Sequence, residues 1–112
     1  MANSNQMFGT SQTSQVLTDG VTINWNASLG VIGVVTIAGN RTIAFPTNLT
    51  LGTYILTVIQ DATGSRTLTW NASFKWPGGI APTLSTVANS KDLFSFVYDG
   101  TYLYGSYLRG MA

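Results

Sequence analysis

The acids, tryptophans and tyrosines are the side chains of this sequence that could do chemistry. All of its negative side chains are aspartates: Asp19, Asp61, Asp92 and Asp99. A hydrolase of the paired-carboxylate kind needs two such groups held at a set separation across a groove, and their spacing here arranges no such pair. Each is read in a turn-like context, where Asp accepts hydrogen bonds from its own backbone. Asp61 and Asp99 also lack the dense oxygen-ligand pattern of a calcium loop. The aromatics point to a different chemistry: Trp25, Trp70 and Trp76, with Tyr98, Tyr102, Tyr104 and Tyr107, could present flat faces to a sugar. Trp25 and Trp70 alternate in phase with aliphatic residues and are expected in the core. Trp76 precedes Pro77-Gly78-Gly79 in a turn and is the one expected at the surface, so the candidate glycan contacts are Trp76, Tyr102 and Tyr104.

What the chain lacks narrows the chemistry further. With Cys 0 and His 0, it has no disulfide, no thiolate or imidazole metal ligand, no cysteine nucleophile and no histidine base. No catalytic, metal or cofactor-binding residue is assigned, and the protein is expected not to be an enzyme; a small-molecule ligand is not expected either. The five cations, Arg41, Arg66, Lys75, Lys91 and Arg109, are dispersed, whereas phosphate neutralisation needs them clustered, so nucleic acid is not an expected partner. The longest apolar run, 31–38, falls far short of the roughly 20 residues of a membrane span, and residues 1–15 have neither the basic nor the apolar region of a secretory signal. No membrane partner is expected. The sequons at Asn26, Asn40, Asn48 and Asn71 then read as ordinary turn and edge vocabulary rather than as glycan acceptors.

Charged residues make up 8% of the chain, against about 25% in an ordinary soluble domain. Neutral polar residues or another chain must cover the rest of the surface, and a net charge of +1 offers little protection against association. A homo-oligomer is the expectation.

The elements that must position these groups are all strands. Residues 1–15 are polar and aperiodic and read as a flexible N-terminal arm; 16–112 read as one β domain. Val21, Ile23 and Trp25 alternate with polar residues, and 31–38 reads as a strand covered on both faces. The run 41–45 stops at Pro46, which marks it as an edge strand or one ending at the turn 46–48. Residues 53–59 and 66–71, joined across Asp61-Ala-Thr-Gly64, read as a hairpin. The last hairpin joins 93–98 to 101–108 through Asp99-Gly100, the pair that favours a two-residue type I′ turn. In its second strand Leu103, Gly105 and Tyr107 share one face and Tyr102, Tyr104, Ser106 and Leu108 the other; both carry apolar area, one for the core and one for a partner. No window shows helical periodicity. The expected fold is all-β, a small antiparallel β-sandwich or barrel, jelly-roll-like, of about seven to nine strands. Trp25-Asn-Ala-Ser28 is echoed at Trp70-Asn-Ala-Ser73, and Gly39-Asn-Arg-Thr-Ile43 at Gly64-Ser-Arg-Thr-Leu68; the unequal offsets argue against a clean tandem repeat.

The segments QDATGSRTLTW (60–70), KWPGG (75–79), APTLST (81–86) and SFVYDGTYLYGS (95–106) resemble surface modules of tailed bacteriophages found in tail, fibre and head proteins. The resemblance is most specific over 59–106, weaker over 37–59 and absent before about Asp19. It implies a non-enzymatic structural or attachment part of the virion, made in the host bacterial cytoplasm. A short chain beginning at Met1 suits a capsid decoration (cement) subunit on the capsid surface, a homotrimer that bridges capsomers and has the major capsid protein as partner. Its expected contacts are Met7 and Phe8 of the arm and the Ala44, Phe45, Pro46, Thr47 and Asn48 edge. The alternative is a tail-fibre or receptor-binding tip module that recognises a bacterial surface glycan through Trp76, Tyr102 and Tyr104.

Overall fold

The computed structural model describes residues 12–112. Nine strands follow one another: β1 (Ser14–Val16), β2 (Thr22–Ile23), β3 (Ile32–Ile37), β4 (Arg41–Ile43), β5 (Gly52–Gln60), β6 (Leu68–Trp70), β7 (Phe74–Lys75), β8 (Lys91–Tyr98) and β9 (Leu103–Met111). They form a six-stranded sheet, ordered β1-β3-β5-β8-β9-β7, and a three-stranded sheet, ordered β2-β4-β6. Up to β6 the chain visits the two sheets alternately and climbs one rung each time. The all-β reading of seven to nine strands therefore holds, with two sheets as in the sandwich alternative, and β1 begins at Ser14, within the stretch that composition assigns to the arm.

The strand directions differ from the antiparallel expectation. Every pairing among β1–β6 is parallel, as is β7 with β9; only β5–β8 and β8–β9 are antiparallel. Parallel neighbours need a long crossover, and among β1–β6 each crossover is made by a strand of the opposite sheet. Residues 53–71 are accordingly no hairpin, since β5 and β6 lie in different sheets. The run 41–45 is no edge either: β4 is the central strand of its sheet, between β2 and β6. Pro46 lies beyond the strand's last residue, where its missing N–H interrupts no ladder.

Corners between the sheets are held by polar side chains. Asp19, on the first rung, takes the Arg41 guanidinium of the second at 2.8 and 2.9 Å and the Ala38 N–H at 3.1 Å. On the third, Asp61 takes Arg66 at 2.9 Å and accepts from the Thr63 and Gly64 N–H groups. Buried Gln60 fastens the same corner, donating to the carbonyls of Arg66 and Ser85 and accepting from the Arg66 N–H. The Gly-x-Arg-Thr echo thus marks two successive corners. The Trp-Asn-Ala-Ser echo has a local cause: Asn26 and Asn71 each accept from the N–H two residues on, at Ser28 and Ser73.

Side chains from both sheets share one core. Trp25, Phe94, Phe96, Ile23, Ile37, Ile43, Leu56 and Leu103 are all fully buried. Ile23, Ile43 and Trp70 stack in register across the small sheet, and Trp70 meets Phe94 of the large one edge-on at 4.8 Å. Asp92 departs from the turn expectation: it lies inside β8, buried, and accepts the N–H groups of Ser85 (2.7 Å) and Gly110 (2.8 Å). It thereby ties the irregular 80–90 segment to the end of β9.

Candidate functional site

The site is built where β7 adds a short edge to β9. Phe74 pairs with Leu103 and Lys75 with Tyr104, so strand alternation buries Phe74 and turns Lys75 outward beside Tyr104. Immediately after β7, two tight turns overlap across Pro77–Gly79, closed by the Gly79 N–H on the Trp76 carbonyl at 2.9 Å and the Ile80 N–H on the Pro77 carbonyl at 3.3 Å. Gly78 and Gly79 have φ of +66° and +73°, a conformation that other residues rarely adopt. These turns fold Trp76 back onto β9, over Gly105. There is no room for a larger residue beneath it: a Cβ at Gly105 would lie 2.5 Å from Trp76 Cζ3.

Trp76 is half-buried rather than freely exposed. Its ring meets Trp70 at 4.8 Å, Phe96 at 5.6 Å and Phe94 at 5.9 Å between centroids, each edge-to-face, which fixes its orientation. Trp25 is buried as expected, at 1% exposure. Trp70 is half-buried, and the indole N–H groups of both Trp70 and Trp76 are buried without a hydrogen-bond partner.

The opposite wall comes from the β8–β9 hairpin. Its loop is longer than Asp99-Gly100 alone suggests: Tyr98 pairs with Leu103, leaving four residues between the strands. A type I′ turn needs positive φ at both central residues, and here only Gly100 has it. Asp99 instead accepts the N–H groups of Thr101 and Tyr102 at 2.8 Å each and the Tyr104 hydroxyl at 2.9 Å. The Tyr102 and Thr101 N–H groups, followed by the Tyr104 hydroxyl, hold the Asp99 carboxyl below the usual carboxylate range. The same contact pushes the Tyr104 phenol up, so near neutral pH a protonated Tyr104 donates to an ionised Asp99. Tyr102 and Tyr104 meet edge-to-face at 6.3 Å, and the Lys75 ammonium sits 4.5 Å from the Tyr102 ring centroid.

Together Lys75, Trp76, Pro77, Tyr102, Tyr104 and Gly105 line an open cleft of about 440 Å³. A second hollow of about 290 Å³ lies beside it, sharing Lys75 and Trp76 and reaching Trp70 and Asn71. Aromatic faces, a cation and two phenolic oxygens at one edge can grip a ligand that has both apolar ring faces and hydroxyls. All three aromatics expected as glycan contacts, Trp76, Tyr102 and Tyr104, converge here. Lys75, Pro77 and Gly105 were not foreseen. Lys75 adjoins Trp76 in sequence, but only its pairing across to Tyr104 brings it into the cleft.

Of the other predicted contacts, Thr47 and Asn48 are exposed and Ala44 is half-buried. Pro46 is buried and Phe45 half-buried, in contact with Phe74 at 5.6 Å and Tyr98 at 6.4 Å. The Thr47 N–H bonds the Trp25 carbonyl, and Asn48 donates to Asn26. Ala44 bonds Ile23 through its own N–H. Met7 and Phe8 lie outside the described residues.

Residues 31–102, from the start of the second rung to the first tyrosine of the cleft wall, match the family described as "Putative phage tail fibre C-terminal domain". The chain belongs to this family. No curated protein and no solved structure matches it. The tail fibre domain is thus a phage virion module, and the matched span includes Lys75, Trp76 and Tyr102; Tyr104 and Gly105 follow directly after it.

Proposed function

We propose that this chain is a non-enzymatic receptor-binding module of a phage tail fibre, and that the Trp76–Tyr102–Tyr104 cleft takes a glycan of the bacterial surface. The observation that carries the reading is the convergence of these three aromatics with Lys75 on one cleft, although they come from separate segments. Sugar rings stack on the aromatic faces, while Lys75 and the Tyr102 hydroxyl donate to sugar oxygens and the Tyr104 oxygen, whose proton is held by Asp99, accepts from a sugar hydroxyl. The four acids have structural duties: two pair with arginines at corners, one ties a loop to β9 and one holds the hairpin loop. That supports binding without hydrolysis. Membership of a tail fibre family favours this reading over capsid decoration, and the Ala44–Asn48 segment, engaged in the small sheet and core, lends decoration little support.

The test is titration of the full chain with oligosaccharides released from host lipopolysaccharide, read by ligand-observed NMR and tryptophan fluorescence. Binding lost in Tyr102→Ala and Trp76→Ala, with the melting curve of Tyr102→Ala unchanged, is the expected result. Saturable binding that survives both substitutions, or its absence in the unaltered chain, would overturn the proposal.

A further inference from the structure

Lys75 and Trp76 line both the cleft and the smaller hollow beside it, and so stand between the two. The Lys75 ammonium lies over the Tyr102 ring, 4.5 Å from its centroid. Among the described residues the ion pairs are Asp19 with Arg41 and Asp61 with Arg66, so Lys75 has no carboxylate partner. No acid lines either hollow. Asp99, behind the cleft wall, has its oxygens occupied by the Thr101 and Tyr102 N–H groups and the Tyr104 hydroxyl. The smaller hollow brings a further donor: Asn71 Oδ1 accepts the Ser73 N–H at 2.9 Å, which leaves the Asn71 amide N–H groups for a ligand. Ala72, Gly79 and Ala81, small residues all, keep that hollow open.

We infer, on the glycan reading of the cleft proposed above, that the two hollows are adjoining subsites for one acidic oligosaccharide of at least two sugar units, whose carboxylate or phosphate group sits on Lys75 between them. The length follows from space. A cavity of about 150 Å³ admits a benzene-sized ring, so hollows of about 440 and 290 Å³ each accommodate a pyranose ring. The charge follows from Lys75. A hydroxyl offers its ammonium a neutral acceptor, whereas an anionic group offers a charge-assisted hydrogen bond roughly twice as strong as a neutral one. The Tyr102 face holds the ammonium in place without neutralising it and leaves N–H donors for the anion. With no acid in the lining, no side chain of either hollow repels such a group. A densely charged polyanion such as nucleic acid needs clustered cations instead.

Oligosaccharides released from host lipopolysaccharide and divided by anion exchange into acidic and neutral pools provide the test, the full chain being titrated with each by ligand-observed NMR. The acidic pool should bind roughly tenfold more tightly, the scale of one charge-assisted hydrogen bond, and its affinity should fall as salt rises. Lys75→Gln should abolish the preference, and Lys91→Gln, the same charge change outside both hollows, should keep it. Carboxyl reduction and dephosphorylation of the acidic pool separate the two anions: the treatment that removes the preference names the group. Ala72→Trp, at an exposed position in the smaller hollow, should weaken binding of the acidic pool while keeping the circular dichroism of the parent. Equal affinity for both pools, a preference that survives in Lys75→Gln or under both chemical treatments, or parental affinity in Ala72→Trp would each overturn the inference and leave the glycan cleft standing. Binding of neither pool would overturn the cleft reading itself, and the inference with it.

Discussion

Substituting Gly105 by alanine probes the joint between fold and cleft. The added methyl would sit 2.5 and 2.9 Å from Trp76 Cζ3 and Cε3, and 3.0 Å from Phe96 Cε1. Unstrained carbon contacts lie near 3.5–4.0 Å, so a gap of about 1 Å must open. Phe96 is fully buried against Trp70, Phe74 and Trp76, which leaves the half-buried Trp76 to move. Overpacking of this kind costs about 1–3 kcal/mol. For a chain of 112 residues the entropy of unfolding is on the order of 0.24 kcal/mol/K, so the melting temperature should fall by roughly 4–13 °C. Melts are compared at one protein concentration. The displaced indole should also red-shift the tryptophan emission and weaken glycan binding, and the stability penalty should largely vanish in a Trp76→Ala background. A Gly105→Ala protein with parental melting, emission and affinity would refute the packing argument and the role assigned to Trp76.

The aspartates give the molecule a defined response to acid. Arg41 and Arg66 foremost hold Asp19 and Asp61 below the usual range, as backbone N–H groups do Asp99. A folded-state pKa below the unfolded value of about 3.9 gives stability that is present above that value and lost as pH falls through the folded one. The melting temperature should therefore be level from about pH 8 to 5 and decline below about pH 4. The decline should be modest because the pairs are partly solvated, and shallower in an Asp19→Asn, Asp61→Asn double variant; an acid limb of unaltered slope would contradict the assignment. Asp92→Ala strips the acceptor from the Ser85 and Gly110 N–H groups. It should cost roughly 2–4 kcal/mol and speed hydrogen exchange at those two amides, and parental exchange at both would refute the tether.

Much of the local structure was legible in the residues. Alternation of β-branched and polar residues marked the strands, Pro77-Gly78-Gly79 marked the turn that carries Trp76, and Asp99-Gly100 marked the last hairpin. Each of these depends on backbone preferences within a few residues. The hairpin loop was misjudged because Asp99 can satisfy the Thr101 and Tyr102 N–H groups with one oxygen, which stabilises a four-residue loop that the dipeptide alone does not announce. Asp61-Ala-Thr-Gly64 has the composition of a hairpin turn but makes a corner, because Gln60 and Arg66 fasten it toward Ser85 and Asp61.

Composition and period by themselves determined that the chain is all-β, that it lacks thiol and imidazole chemistry, and that its last strand carries apolar residues on both faces. Only the tertiary structure decided that the first six strands run parallel in two alternating sheets, that Arg41 bridges to Asp19, and that Lys75, Trp76, Tyr102 and Tyr104 share a cleft. The physical reason is that strand pairing is made by backbone groups common to all residues, between segments far apart in the chain. A strand's own side chains fix which face it buries, whereas its neighbour and direction follow from how all the rungs pack at once.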